Sequence, residues 1–169
     1  MLQPPVKLSA REGTVLLDFY MRARNAAQMQ RIVLYQPDIP QNVGATMRLC
    51  ACMGAELHIV MPCGFPLDDK KLKRVGMDYV EKVPLIRHAD WGAFLAYRAS
   101  HAGALLLIET DGATSYTEHA FAAGDYIMLG SESAGTPADI YEDMDATLHI
   151  PMVAGVRSLN VGMAAAMVL

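Results

Sequence analysis

The sequence has few cysteines, a single tryptophan and no long uninterrupted apolar run. Its three cysteines, Cys50, Cys52 and Cys63, are too few and odd in number for a disulfide framework. No stretch approaches the roughly 18 apolar residues of a membrane-spanning helix, and residues 1–30 contain no signal-peptide core. We therefore expect a cytoplasmic protein that has no membrane partner.

The chain also has no excess of positive charge: it contains 14 Lys and Arg residues and 18 Asp and Glu residues, which gives a net charge of −4. This balance argues mildly against a protein that coats nucleic acid, although it leaves room for a local basic patch. Hydrophobic residues make up 53% of the chain, which excludes an intrinsically disordered protein. The 169 residues fit one domain with a short appendage.

From residue 31 onward, short apolar segments alternate with helix-compatible ones. Five segments read as buried strands: 32–35, 56–62, 104–109, 125–130 and 146–152. Helical patterns are predicted at 43–54, 67–77, 90–100, 136–144 and 158–169. We expect Gly54 to end the first helix, Asp90 and Ser158 to cap two others, and Pro137 to open the short one. The alternation predicts an α/β fold with a mostly parallel sheet and helices on both faces.

Residues 1–30 differ from the remainder, since they contain Pro4-Pro5, scattered charges and no clear period. We interpret them as an N-terminal extension of unknown role, followed by one domain over 31–169. Met29 lies just before the first strand, and one hypothesis is that the native chain starts there. Peptides from residues 1–28 in the native protein would contradict that hypothesis.

Three loops that follow predicted strands are rich in small residues: 109–112, 130–137 and 150–160. Ligands of open α/β sheets bind at such loops, so we expect one pocket there. Glu132 in the second loop disfavours a dinucleotide, because a carboxylate repels a diphosphate. It suits a cationic or neutral ligand, such as a sulfonium that carries adenine and an amino-acid tail. The alternative is that Glu132 only caps the next helix.

Two polar clusters remain, and each allows two interpretations. Asn42 and Arg48 are about 600° apart around a helix, so they point in different directions. Asn42 is either functional or an N-cap, and Arg48 is either functional or an ordinary surface arginine. Lys70, Lys71, Lys73 and Arg74 form the densest basic cluster, which indicates either an RNA contact or a solvated helix face.

The strings IPQNVGATMRL, LGSESAGTP and IPMVAGVRSLN occur in this order. Together they resemble the three signature motifs of the SpoU branch of the SPOUT superfamily, which comprises RNA ribose 2′-O-methyltransferases that use S-adenosylmethionine (AdoMet). The segment HIVMPCGFPLDDKKLKRVGMDY is similar to a short bacterial subgroup that acts on the wobble nucleotide of tRNA. The resemblance covers residues 31–169.

The resemblance implies a fold that the strand pattern alone does not predict. Family members carry a deep C-terminal trefoil knot that forms the AdoMet pocket, and they work as homodimers. General topology rules argue against knots, and the pattern by itself predicts an ordinary doubly wound sheet. The last predicted helix stops at Leu169, so we expect it to be shorter than in relatives.

The resemblance also implies an activity: AdoMet-dependent 2′-O-methylation of cytidine 34 or modified uridine 34 in tRNA, with leucine isoacceptors as the expected substrates and no metal. One alternative is another RNA, such as rRNA. A second alternative is a non-catalytic RNA-binding remnant.

Site residues carry over from the matching motif positions. The implied catalytic residues are Asn42, Arg48, Glu132, Ser158 and Asn160. The implied cofactor-binding residues are Ile108, Gly130, Glu132, Ile150, Met152, Ser158 and Leu159. The expected RNA contacts are Arg48, Lys70, Lys71, Lys73, Arg74 and Arg157, with Arg87 and His88 as lesser candidates.

An arginine at the position of Arg48 has been proposed as the base in related enzymes. Because a guanidinium is effectively always protonated, a phosphate anchor or an alkoxide stabiliser is the more natural role. Other polar residues are expected to be structural. Cys50 and Cys52 do not share a helix face, so we predict no zinc site, and His58 and His149 lie in predicted strands.

Overall fold

The computed structural model describes residues 29–67, 79 and 82–169. Most of the predicted N-terminal extension therefore lies outside the described residues. The same holds for nearly all of the predicted helical stretch 67–77 and for the basic cluster of Lys70, Lys71, Lys73 and Arg74.

The described part of the chain forms one seven-stranded sheet in which every pair of neighbouring strands is parallel. The strands are β1 (Arg31–Tyr35), β2 (Glu56–Val60), β3 (Leu85–His88), β4 (Leu105–Ile108), β5 (Thr114–Ser115), β6 (Tyr126–Leu129) and β7 (Ala146–His149). Their order across the sheet is β3-β2-β1-β6-β4-β7-β5. The five predicted strands are confirmed, whereas β3 and the two-residue β5 were not predicted.

The sheet order creates a switch point beside β1. The chain runs from β1 outward to β2 and β3 on one side, and it then crosses to build β4, β6 and β7 on the other. Ligands of parallel α/β sheets bind in the crevice that forms at such a point, outside the carboxyl ends of the strands. The loops that follow β1, β6, β4 and β7 therefore meet at one edge.

Within the described residues, three α-helices accompany the sheet: α1 (Pro40–Met53), α2 (Trp91–Arg98) and α3 (Val161–Val168). Short 3₁₀ segments span Tyr116–Glu118 and Ala138–Asp143. Helix α1 begins three residues earlier than predicted, because Pro40 occupies its first position, where a missing N–H costs nothing. It ends as predicted at Gly54, which adopts a left-handed φ of 69°.

The predicted caps are only partly correct. Asp90 caps α2 as predicted, since its carboxylate accepts a 2.8 Å hydrogen bond from the backbone N–H of Ala93. Ser158 does not cap α3, because that helix starts later and Asn160 occupies the N-cap position. Pro137 precedes the short 3₁₀ segment rather than opening it as its first residue.

Both faces of the sheet are covered, as the sequence predicts. Alternation along each strand sends Ile32 and Leu34 to one face and Val33 to the other. On the first face, α1 and α3 bury Val43, Met47, Ala165 and Val168. On the second face, α2 buries Phe94, and the 3₁₀ segment Ala138–Asp143 buries Ile140. No helix in the described part of the chain is long and apolar enough to cross a membrane.

Candidate active site

A cavity of about 440 Å³ opens at the carboxyl edge of the sheet. It lies between the loops that follow β4, β6 and β7 and the first turns of α1 and α3. All seven residues expected to bind the cofactor line it: Ile108, Gly130, Glu132, Ile150, Met152, Ser158 and Leu159. The three loops that the sequence singled out thus surround one cavity.

A chain of side-chain hydrogen bonds links the three sequence motifs at this cavity. The Nδ2 of Asn42 donates to Oε1 of Glu132 at 2.8 Å, and the Nδ2 of Asn160 donates to Oδ1 of Asn42 at 2.8 Å. The Oδ1 of Asn160 accepts the backbone N–H groups of Gly162 and Met163, at 2.9 and 3.3 Å. Asn42 is therefore not the N-cap of α1, because Ile39 takes that position and the Asn42 amide reaches Glu132 instead.

Asp38 holds the loop that carries Glu132. Its backbone N–H donates to Oε2 of Glu132 at 2.7 Å. Its Oδ2 accepts the hydroxyl of Ser131 at 2.7 Å and, from Ser133, both the backbone N–H at 3.1 Å and the hydroxyl. The hydroxyl of Ser133, then the hydroxyl of Ser131 and last the backbone N–H of Ser133 hold the pKa of Asp38 below its ordinary value. Both oxygens of Glu132 are thus engaged, and it does not cap the 3₁₀ segment.

Gly130 allows this loop to fold back tightly at the end of β6. A Cβ at this position would lie 2.5 Å from Oγ1 of Thr136 and 2.7 Å from the carbonyl carbon of Gly135. Ser131 and Gly135 close the turn with two backbone hydrogen bonds, of 3.1 and 2.8 Å. A larger residue at position 130 would force the loop apart and move Glu132.

Arg48 lies apart from the cavity. It is exposed on α1, and its guanidinium carbon lies 5.0 Å from the centre of the Tyr79 ring. Six residues separate it from Asn42, which is roughly 9 Å along a helix. The predicted difference in direction between Asn42 and Arg48 is confirmed. Of the five expected catalytic residues, Asn42, Glu132, Ser158 and Asn160 line the cavity and Arg48 does not.

The expected RNA contacts divide in the same way. Arg157 is exposed and lines the cavity, and Arg87 is exposed at the end of β3. His88 is a wrong candidate, because it is buried and its Nε2 lies 2.9 Å from Nδ1 of His58. A side chain enclosed in this way is not available to a phosphate.

Sequence reasoning missed two acidic residues at the site, Asp38 and Glu109. Asp38 follows Pro37 in the turn before α1, where the pattern indicated only a loop. Glu109 follows β4 directly and lines the cavity, and its Oε1 is buried without a partner among the described residues. The loop 109–112 was singled out for its small residues, and the carboxylate within it was the signal to follow.

Among the residues that the structure describes, no group of three or more His, Cys, Asp or Glu side chains could hold a metal ion. Cys50 is buried and Cys52 is exposed, so the two thiols face in different directions, as predicted. His149 lies in β7 as predicted, with Nδ1 2.8 Å from the carbonyl oxygen of Gly112. Its ring braces the loop that follows β4.

Comparison with known proteins places this geometry in a family. The model of the SpoU rRNA methylase family matches residues 29–169. A tRNA (cytidine(34)-2′-O)-methyltransferase from Beijerinckia indica is 46% identical over 138 residues, which cover 82% of this chain and 86% of that protein.

Solved structures show the same fold. One that concerns the 2-OH methylation of C/U34 on tRNA superposes with a TM-score of 0.77 at 40% identity, and the match covers 83% of this chain and 91% of the other. The SpoU methyltransferase AviRb from Streptomyces viridochromogenes, in complex with AdoMet, has a TM-score of 0.74 at 23% identity, over 84% and 56% of the two chains. With a family match over most of its length and relatives above 40% identity, the chain belongs to the SpoU rRNA methylase family.

Proposed function

We propose that this chain transfers a methyl group from AdoMet to the ribose 2′-hydroxyl of the wobble nucleotide of tRNA, cytidine 34 or modified uridine 34. The observation that carries the proposal is the hydrogen-bonded chain of Glu132, Asn42 and Asn160, which joins three distant motifs beside one cavity. The relative from Beijerinckia indica, 46% identical over most of both chains, carries the name of this activity.

The cavity has the chemistry that AdoMet requires. This ligand carries a sulfonium, an ammonium, a carboxylate and a ribose diol. The cavity presents two carboxylates, on Glu109 and Glu132, and one guanidinium, on Arg157. Gly130 lines the cavity without a side chain of its own, so its main chain borders the space that a ligand would fill. When bound, AdoMet would supply an electrophilic methyl group, with Ile108, Gly130, Ile150, Met152, Ser158 and Leu159 around it.

The two asparagines have donors to spare for the reacting ribose. A carboxamide NH₂ has two N–H groups, and Asn42 and Asn160 each use one of theirs in the hydrogen-bonded chain. A ribose 2′-hydroxyl must lose its proton as it attacks, so its oxygen gains negative charge. The remaining N–H groups, held in place by Glu132 and by the start of α3, are suited to stabilise that charge. Ser158, on the same cavity wall, is proposed to contact the cofactor or the ribose.

Arg48 is proposed to hold an RNA phosphate. It is exposed on α1, where a cation–π contact with Tyr79 helps to orient it, and its planar guanidinium can make a bidentate contact with a phosphate. Arg48→Lys keeps the positive charge and loses the paired N–H donors of the guanidinium, so we expect weaker tRNA binding from this variant. A tRNA affinity equal to that of the wild type would exclude a role for these paired donors.

Further RNA contacts are proposed for Lys70, Lys71, Lys73, Arg74 and Arg157. Each phosphate that these side chains neutralise steepens the decline of tRNA affinity with salt. We expect the wild-type affinity to fall steeply as salt is raised, and a salt-independent affinity would contradict the assignment.

A homodimer is proposed as the working unit. Met163 and Met167 are four residues apart on α3, and they remain 60% and 46% exposed, so this helix presents an uncovered apolar face. Met163→Asp should shift the sedimentation mass from dimer to monomer. Ala99→Asp, at an exposed position beyond α2 on the other side of the sheet, is the matched control and should leave the mass unchanged.

The remaining expectations are proposals of the same kind. A C-terminal trefoil knot is supported by the long loop 150–160, which carries the chain from β7 to a helix packed on α1. Residues 1–30 are proposed as an extension outside the 31–169 domain. The enzyme is proposed to work in the cytoplasm, without a metal, on leucine tRNAs.

The function is tested by methyl transfer from labelled AdoMet to total tRNA from a strain that lacks the enzyme. Label mapped to a 2′-O-methyl group on nucleotide 34 is the expected result. AdoMet binding without labelled tRNA would overturn the wobble assignment and favour another substrate, such as rRNA. Absence of both binding and transfer would indicate a non-catalytic RNA-binding protein.

A further inference from the structure

Glu109 occupies a defined position at the carboxyl end of β4. Its backbone N–H donates to the carbonyl oxygen of Leu148 at 2.9 Å, which locks this residue into the edge of the sheet. Glu109 lines the 440 Å³ cavity, and β4, which precedes it, lies two strands away from β1, the strand that precedes the helix of Asn42. Two steps in the sheet, from β1 through β6 to β4, correspond to roughly 10 Å.

The carboxylate of Glu109 is incompletely satisfied. Its Oε1 is buried, and no donor among the described residues reaches it. A buried acceptor without a partner costs free energy, and more so when it is charged. The Glu109 charge adds to burial in raising the pKa of the nearby Tyr141 phenol, yet the two groups form no hydrogen bond. Glu109 thus lines the cavity and carries a buried acceptor that no described residue uses.

We propose that Glu109 is a cofactor-specificity residue whose carboxylate accepts hydrogen bonds from the ribose hydroxyls of AdoMet, an inference that rests on the proposed function. A carboxylate at the carboxyl end of a parallel strand is well placed to accept ribose hydroxyls in α/β sheets. The other donor of AdoMet, its ammonium, lies next to its carboxylate. That carboxylate is the natural partner of Arg157, which forms no ion pair with Glu109 although both line the cavity.

The first test measures binding rather than turnover. Glu109→Leu should weaken AdoMet binding in calorimetry by about tenfold or more, the size of a lost hydrogen bond to a charged group. Glu109→Gln retains one acceptor oxygen and should fall between wild type and Glu109→Leu. Asp111→Asn is the charge-matched control, because Asp111 is exposed on the same loop and does not line the cavity. We expect it to bind AdoMet as wild type does.

A second ligand identifies the group that Glu109 contacts. 5′-Methylthioadenosine retains the ribose and lacks the amino-acid tail. If Glu109 accepts the ribose hydroxyls, Glu109→Leu weakens binding of this ligand by the same factor as binding of AdoMet. An unchanged affinity for methylthioadenosine, with a reduced affinity for AdoMet, would overturn the ribose assignment and point to the ammonium.

The melting temperature of the ligand-free protein separates the proposed role from a purely structural one. If Glu109 were only structural, its replacement would lower this temperature. Because Oε1 is buried without a donor, Glu109→Leu should leave the melting temperature of the free protein unchanged or higher, while the shift induced by AdoMet shrinks. A lower melting temperature with an unchanged AdoMet affinity would show a structural residue and overturn the proposal. If the wild-type protein itself fails to bind AdoMet, the proposed function fails, and that result is distinguishable from failure of Glu109 alone.

Discussion

Two polar clusters of this molecule differ in their position relative to the cavity. The motif network comprises Asp38, Asn42, Glu132 and Asn160, and it borders the cavity. The histidine network comprises Arg31, Glu56, His58 and His88, and its two histidines lie in the core on the other face of the sheet. Both contain hydrogen bonds between side chains, but Asn42, Glu132 and Asn160 of the motif network line the cavity, whereas none of the four residues of the histidine network does.

The histidine network is tied to the sheet and to a neighbouring loop, since Nη1 of Arg31 also donates to the carbonyl oxygens of Ala102 and Gly124, at 2.8 and 2.6 Å. His58 Nδ1 lies 2.9 Å from Nε2 of His88, and His58 Nε2 lies 3.3 Å from Oε2 of Glu56. One assignment of protons serves both contacts with neutral rings: His88 donates to His58, and His58 donates to Glu56. Glu56 also accepts from Nε of Arg31 at 3.0 Å. Burial, the largest cause, lowers the pKa of His58 to about 4.

The two networks also differ in the way the chain assembles them. Arg31 and Glu56 are register partners on β1 and β2, so strand pairing alone brings them together. The motif network joins residues that lie 90 and 118 positions apart, and it needs three loops to meet at one edge. Position at a cavity thus distinguishes the functional cluster from the structural one, because residues of the motif network line the cavity and those of the histidine network do not.

The largest expected effect comes from breaking the motif network at its centre. Asn42→Ala removes a donor from the reacting ribose and frees Glu132 and Asn160, so the methyl-transfer rate should fall by about 100-fold to 1,000-fold. The thermal midpoint should change little, because the lost contacts border a cavity that water can enter. Gln41→Ala, at the exposed neighbouring position, is the control. An Asn42→Ala enzyme as fast as this control would remove Asn42 from the catalytic machinery.

Breaking the histidine network should have the opposite outcome. His58→Ala leaves a cavity in the core and strands the buried partners His88 and Glu56, so the free energy of unfolding should fall by about 2 to 3 kcal/mol. Chemical denaturation measures this loss. The transfer rate per folded molecule should remain that of wild type, and a large fall in rate would mean that the two networks are coupled.

Acid should weaken the protein through the same histidine. Because the folded pKa of His58 is about 4 against an ordinary value of 6.5, its neutral form is favoured by folding. This contribution is fully present above pH 6.5 and is lost as the pH falls toward 4. From pH 7 to pH 5 the unfolding free energy should drop by about 1 to 2 kcal/mol. A surface variant, His101→Ala, should retain the slope, and His58→Ala should reduce it, although burial also lowers the pKa of His88, which keeps part of the dependence.

The smallest effect on the transfer rate is expected at Asp38, which holds the loop that carries Glu132. Asp38→Asn loses the charge that strengthens its bonds to Ser131 and Ser133, so the Glu132 loop should loosen and the rate should fall by about fivefold to tenfold. Ser133→Ala removes part of the same contact. The two changes combined should cost less than the product of their separate effects. Fully multiplicative losses would show that Asp38 acts independently of the loop.

Much of the fold could be predicted because its signals are local. The runs 32–35, 105–108 and 126–129 are apolar throughout and buried almost completely, which is typical of central parallel strands. The end of α1 at Gly54 and the Asp90 cap depend on a few neighbouring residues. Strand β3 escaped prediction because it mixes exposed Arg87 with buried His88, and no apolar pattern marks it.

The site could be predicted less completely. Family motifs identified Asn42, Glu132, Ser158 and Asn160, and all four line the cavity. The motifs did not reveal that Asn160 donates to Asn42, nor that Asp38 supports Glu132, because each contact joins parts of the chain that only folding brings together. Arg48 belongs to the first motif, yet the helix turns it away from the cavity.

By itself, the sequence determined the alternation of strands and helices, the two-sided burial of the sheet and the positions of the three motif loops. Those features follow from residue periodicity and backbone sterics, which act over a few residues. The tertiary structure decided which side chains meet. The order β1-β6-β4-β7 places four carboxyl ends at one edge, and that placement gathers Asp38, Asn42, Glu109, Glu132 and Asn160 around the loops there. Contacts across such distances depend on strand order, which no local pattern encodes.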